Sequence, residues 1–112
     1  MMRVLHLFSN CKWTGPAEPA LNLCAALREQ GVETEFACAP DAGNSVNRVV
    51  TSARERGITP ILDFHLKKHR HPFKNLEDVR GIRRLLHAEH FDVVHCHLDN
   101  DHAIAGRAVR NI

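Results

Sequence analysis

The chain has 112 residues, enough for one small domain and too few for two. Its 44% hydrophobic and 25% charged residues exclude disorder as a starting point. A net charge of +2 is too small a basic excess to point to nucleic acid, and no apolar run approaches the ~20 residues of a membrane-spanning helix. The apolar start Val4-Leu5-His6-Leu7-Phe8 is shorter than the ~7–15-residue core of a signal peptide. These features imply a cytoplasmic protein. Cys11, Cys24, Cys38 and Cys96 contain no C-x-x-C pair and read as reduced thiols. There is no tyrosine, and of the nine histidines all but His6 lie in the second half.

Arg3 to Phe8 reads as a short apolar strand, followed by a turn at Trp13-Thr14-Gly15-Pro16. A helix follows from about Glu18 to Gln30, with Pro19 in its first turn, Leu21, Cys24 and Leu27 at helical spacing, and Gly31 as its stop. Thr34 to Ala39 reads as the second strand and Ser45 to Arg56 as the second helix. Ile58 to Phe64 reads as the third strand, with Pro60 awkwardly placed for a central one. His65 to Asn75 is a basic loop. Asn75 is the expected cap of a third helix reaching about His90, with Asp78 at the capping-box position. Phe91 to His97 reads as the fourth strand, and Leu98-Asp99-Asn100-Asp101 leads into a fourth helix with Ile104, Ala105, Ala108 and Val109 on one side.

The order βαβαβαβα implies an α/β protein: a Rossmann-like open parallel sheet with helices on both faces. The expected strand order is 3-2-1-4. The absence of a stop signal behind the last helix reads as the N-terminal part of a longer protein, incomplete at its C-terminus. A fourth strand on an open edge would favour self-association.

Ligands of open parallel sheets sit beyond the carboxyl ends of the strands. Two segments meet there in this topology. The first runs from Ser9 to Glu18, where Gly15 permits close backbone approach, the following helix start favours negative charge, and Lys12 adds a cation. It is neither G-x-G-x-x-G nor a Walker A loop. The second carries His95, His97 and Asp99, which alternate and share one side of a strand, with Cys96 on the other. Such an array suits a divalent metal and a metal-dependent hydrolase. The alternative is a strand-tip histidine that donates a hydrogen bond or acts as a base near neutral pH. The basic stretch His65–Lys74, with Lys67, Lys68, Arg70, Lys74 and Phe73, reads either as a solvated loop or as a contact for an anionic membrane surface or acceptor. A non-enzymatic Rossmann-like binding module is a third reading of the whole.

Four stretches together resemble the start of a family 4, GT-B-fold glycosyltransferase. They are Met2-Arg3-Val4-Leu5-His6-Leu7; Thr14-Gly15-Pro16-Ala17-Glu18 with the helix Leu21–Leu27 and Gly31-Val32-Glu33; Phe91-Asp92-Val93-Val94-His95-Cys96-His97; and the small-residue helix His102 to Val109. The resemblance implies retaining, metal-independent transfer from a UDP- or GDP-sugar, with no cofactor. The acceptor would be a sugar, lipid or small molecule held by this N-terminal domain, and a C-terminal domain outside these residues would bind the nucleotide. It implies that Thr14, Gly15 and Pro16 approach the donor phosphates and that His97 lies beside the reacting sugar as the catalytic residue. Asn10, Lys12, Trp13, Glu18 and Asp99 are the expected acceptor contacts. Pro16 stands where the family has a second glycine, which removes one backbone N–H from the phosphate loop. On this reading the 112-residue piece alone is inactive, and the enzyme is cytoplasmic or peripheral at the inner face of a membrane.

Overall fold

The computed structural model describes residues 2–40, 43 and 46–110. Strand β1 (Arg3–Phe8) leads to helix α1 (Ala17–Glu29), strand β2 (Glu33–Cys38), helices α2 (Arg48–Glu55) and α3 (Pro72–Ala88), strand β3 (Val93–Cys96) and helix α4 (Asp99–Ala108). The three strands form one parallel sheet in the order β2-β1-β3. β1 is central, and five of its six residues are buried, as a strand covered on both faces requires.

Strand parity divides the core. Leu5 and Leu7 face α3 and α4 with Ala37, Val79, Ile82, Ile104, Ala105 and Ala108. Phe8, Phe36 and Cys38 face the opposite way, against Ala17, Ala20, Leu21 and Cys24 of α1 and Val49, Val50 and Ala53 of α2. The expected Rossmann-like layering, with helices on both faces of a parallel sheet, is therefore the observed one.

Two expectations are corrected. The third strand expected over residues 58–64 is reduced to a single parallel bridge, Ala37 to Ile61. The Ile61 N–H donates to the Phe36 carbonyl at 2.8 Å, and the Ile61 carbonyl accepts from Cys38 N–H at 3.3 Å. Pro60 has no N–H to extend that ladder. The segment still lies outside β2, where the order 3-2-1-4 places it. The third helix begins a turn earlier than expected, because Pro72 suits its first position and His71 Nδ1 caps it by accepting from Lys74 N–H at 3.3 Å. The stretch His65–Lys74 is therefore a loop to His71 and helix beyond it. Asn75 and Asp78, expected as caps, are released for other work. The second helix starts at Arg48 with Asn47 as its cap, and Ser45, its expected first residue, lies outside the described residues.

Candidate functional site

The carboxyl ends of β1 and β3 are tied together by a buried polar knot. The Asp101 carboxylate, fully buried, accepts from Ser9 N–H at 3.0 Å and from Leu98 N–H at 3.0 Å. Asp101 N–H donates in turn to Ser9 Oγ at 3.1 Å. Burial pushes the Asp101 carboxyl above its ordinary value, against the pull of these donors. The knot fixes the β1–α1 loop against the first turn of α4, so the two segments expected to meet at the sheet end do meet.

Beside it lies a stack of three imidazoles. His6 of β1 pairs in register with His95 of β3. His6 and His95 stack with centroids 5.2 Å apart, and His95 and His97 stack at 4.3 Å with planes 10° from parallel. His6 Nδ1 and His97 Nε2 are 3.0 Å apart and share one hydrogen bond. Cys96 goes to the other face, among the residues packed on α3 and α4, as the alternation requires. Burial, and after it the neighbouring His97 and His95 rings, lowers His6 to about 4. Burial, and after it His95, lowers His97 to about 4. Both rings are therefore neutral at pH 7, and His97 is not a base poised near neutrality.

The tautomer follows from the orphaned atom. His6 Nε2 is buried and has no partner among the described residues. A buried N–H without an acceptor costs more than an under-used lone pair. The proton shared between the rings is thus assigned to His6 Nδ1, which donates to His97 Nε2. The neutral His97 ring then carries its own proton on Nδ1 and is a hydrogen-bond donor.

The metal set expected from His95, His97 and Asp99 is not assembled. Strand geometry ends at Cys96, so Asp99 opens α4 and is exposed. The residues whose ligand atoms lie within 4.8 Å of one another are His6, His95 and His97. Two of their nitrogens, His6 Nδ1 and His97 Nε2, are already taken up by the hydrogen bond they share. As arranged, the trio is a packed stack.

The basic loop closes the site. His65 N–H and Leu66 N–H donate to the two oxygens of Asp78 at 2.7 and 2.8 Å. Leu66 is fully buried at φ 41°, a left-handed backbone that a leucine rarely adopts. Asn100 Nδ2 donates to the Lys67 carbonyl at 2.7 Å and exchanges hydrogen bonds with Asn75. These anchors bend the loop over the sheet end. A cavity of about 670 Å³ brings His97, Asp99 and His102 together with Lys68, His69 and Arg70. A second, of about 420 Å³, sets Asn10 and Lys12 against the same three loop residues.

The residues expected from the sequence thus fall into two groups. His97, Asp99, Asn10 and Lys12 line the two cavities. Trp13 packs on the α1–α2 core with Arg56 over its ring at 5.9 Å, and Glu18 is exposed in the first turn of α1. Thr14 accepts from Ala17 N–H at 3.0 Å, Pro16 precedes α1, and a Cβ on Gly15 would meet nothing within 4 Å. Those five line neither cavity. Ser9, Asn75, Asp78 and Asn100 carry no sequence signal for their roles, because each acts on a group brought near only by folding, whereas Asp101 also accepts from Leu98 N–H three residues earlier, a local capping contact. His6 had one usable signal, an imidazole at a fully buried position of the central strand.

A family model described as a glycosyl transferase 4-like domain matches residues 14–111. Among solved structures, MurG from Acinetobacter baumannii superposes with a TM-score of 0.69 at 17% identity, over 96% of this chain and 30% of that one. A glycosyltransferase from Rickettsia africae gives 0.73 at 14% identity, over 97% of this chain and 27% of that one. At such identities the likeness shows the fold alone, and this chain spans less than a third of either protein's length. No curated protein matches the chain in sequence. The parallel sheet, the joined loops at its carboxyl end and a match over nearly the whole length agree, and the chain belongs to the glycosyl transferase 4-like domain family.

Proposed function

We propose that this chain is the acceptor-side part of an enzyme that transfers a sugar from a UDP- or GDP-linked donor to a sugar, lipid or small-molecule acceptor. The reading includes retention at the anomeric carbon, no metal and no cofactor, and a cytoplasmic setting. The observation that carries it is His97: a neutral imidazole, held by His6, at the wall of a cavity of about 670 Å³ beyond the carboxyl ends of the strands. A neutral Nδ1–H at that place donates to a hydroxyl or ring oxygen and fixes the acceptor or sugar for attack, a matter of positioning and not of proton abstraction. In this reading Thr14, Gly15 and Pro16, exposed or half-buried before α1, meet the donor diphosphate when the nucleotide-binding part of the enzyme closes on them.

The test is turnover of UDP- and GDP-sugars by the intact protein against a panel of acceptors. His97→Ala is expected to lower kcat by about 10²-fold with donor KM little changed. His97→Asn, whose amide donates from near the position of Nδ1, recovers part of the rate. A chelator leaves turnover unaltered. Full activity in His97→Ala, or loss of activity on chelation, would overturn the corresponding part of the reading.

A further inference from the structure

The smaller cavity has a charge pattern that sugar binding by itself does not require. Among the described residues that line it, Lys12 from the β1–α1 loop, Lys68, His69 and Arg70 from the basic loop and His71 at the start of α3 are basic, and none is a carboxylate. The larger cavity differs, since Asp99 offsets part of its positive charge.

Cations on a free loop would spread into solvent. Here the fold holds them together. Asp78 grips the loop at His65 and Leu66, Asn100 grips it at the Lys67 carbonyl, and Leu66 is kept buried in a left-handed conformation. Crowding of like charges costs free energy, which a bound anion offsets.

A second observation is independent of charge. Asn10 lines the same cavity and is 4% exposed. Its Oδ1 accepts from Cys11 N–H at 2.9 Å and Lys12 N–H at 3.2 Å, which fixes the orientation of the amide. Its Nδ2 is buried and has no acceptor among the described residues. A donor amide without an acceptor, on the wall of a cationic cavity, calls for an oxygen-rich ligand.

We propose that this cavity, between Asn10 and Lys12 on one side and Lys68 and Arg70 on the other, binds a phosphate group carried by the acceptor. The proposal rests on the transferase reading for the word acceptor and on the cavity itself for the word phosphate. Arg70 gives a planar, forked donor, Lys12 and Lys68 give point charges, and the Asn10 amide gives a neutral donor. A volume of about 420 Å³ lies in the range of small-ligand sites and leaves room for the sugar or alcohol that carries the phosphate. The neighbouring cavity with His97 shares Lys68, His69 and Arg70, so a phosphate anchored in one places its carrier beside the other.

The experiment is calorimetric titration of the intact protein with inorganic phosphate, a sugar phosphate, the unphosphorylated sugar and UDP. The same titrations are run on the double variant Lys68→Glu, Arg70→Glu. Both side chains are exposed, so the variant is expected to fold, which circular dichroism checks. The expected result is binding of inorganic phosphate and sugar phosphate, at least about tenfold weaker in the variant, with UDP affinity unaltered. Equal loss of UDP affinity would assign the cavity to the donor and overturn the proposal, with the transferase reading intact. Phosphate affinity unaffected by the double variant would overturn it outright. Phosphate binding that the double variant loses, in a protein that turns over no nucleotide sugar, would sink the transferase reading and the acceptor role together and leave an anion site. A vesicle arm separates the sources of the phosphate. Phosphatidylcholine vesicles are compared with vesicles that also contain phosphatidylglycerol. Capture by the anionic vesicles alone, lost in the double variant, identifies a lipid phosphate, to which Phe73, 77% exposed beside the loop, adds an apolar contact. Binding of the soluble sugar phosphate without vesicle capture identifies a soluble acceptor.

Discussion

His6 and His97 show how a tertiary neighbour changes the chemistry of a side chain. An isolated imidazole titrates near the middle of the physiological range. Both of these sit near 4, because each is buried against another imidazole. Two consequences are measurable. Long-range nitrogen–proton correlation spectra at neutral pH are expected to show His97 as the neutral Nδ1–H tautomer, and an Nε2–H signal would refute the assignment. Stability depends on pH in a definite direction. The folded values lie below the ordinary 6.5, so between about 4 and 6.5 the unfolded chain binds protons that the folded chain refuses. Stability is therefore full above that window and falls as pH drops through it. Urea unfolding is expected to show a loss on the order of 2 kcal/mol between about pH 7.5 and pH 5. The lowered carboxylates Glu77 and Asp92 titrate below that range and do not mask the effect. Asp101, raised by burial, works in the opposite sense at the acid end. A flat profile between the two pH values would contradict the burial of the histidine pair.

At the scale of the element, the same substitution carries opposite signs in two helices. Glycine inside a helix is worse than alanine by about 1 kcal/mol. On α4 a Cβ at Gly106 meets nothing within 4 Å, so Gly106→Ala is expected to raise stability by about 0.5–1 kcal/mol. On α3 a Cβ at Gly81 would stand 3.0 Å from Cε1 and 3.2 Å from Cδ1 of Phe64. Phe64 is a core residue, 7% exposed and packed in the cluster on the α3–α4 face of the sheet. Gly81→Ala is expected to lower stability by about 1 kcal/mol in spite of its better propensity. Thermal melts of the two variants check the pair, and a stabilised Gly81→Ala would show that the ring yields. The elements themselves were largely readable. α1 ends where Gly31 takes its left-handed turn at φ 83°, and its stripe of Leu21, Cys24 and Leu27 is buried at the first two and half-buried at Leu27. The third helix was misplaced by a turn because Asn75 is the better cap by type, whereas Pro72 and His71 sit where the chain actually turns.

For the whole molecule the open question of the sheet is its edge. β3 pairs with β1 on one side, and among the described residues no strand covers the other. Val93 there is 41% exposed, and Val93, Val94, Cys96 and Val109 line an apolar groove of about 380 Å³ between β3 and α4. An uncovered apolar edge invites strand pairing between copies. The chain expressed by itself is expected to associate with rising concentration in sedimentation equilibrium, and Val93→Lys is expected to reduce that association. A wild-type chain that stays monomeric over the full range would argue against an adhesive edge. No helix of the described residues is long and apolar enough to cross a membrane.

Sequence alone determined the alternation of strands and helices, the parallel sheet and the family, because these follow from local periodicity, turn chemistry and ordered motifs read along the chain. It also placed His97 and Lys12 at the carboxyl ends of strands, since in an open parallel sheet that position follows from topology. Tertiary structure decided the surroundings of these residues. It set His6 against His97 and so made a neutral donor of a residue that reads as a base near neutrality. It used Asp78 and Asn100 to bend the loop of Lys67, Lys68 and Arg70 over the sheet end, where the loop lines a cavity. It removed Asp99 from the histidines by starting α4 at that residue. The common reason is that pKa, tautomer and hydrogen-bond partner depend on groups some 90 residues away in the chain, as in the His6–His97 contact with a separation of 91, and no local pattern encodes such a neighbour.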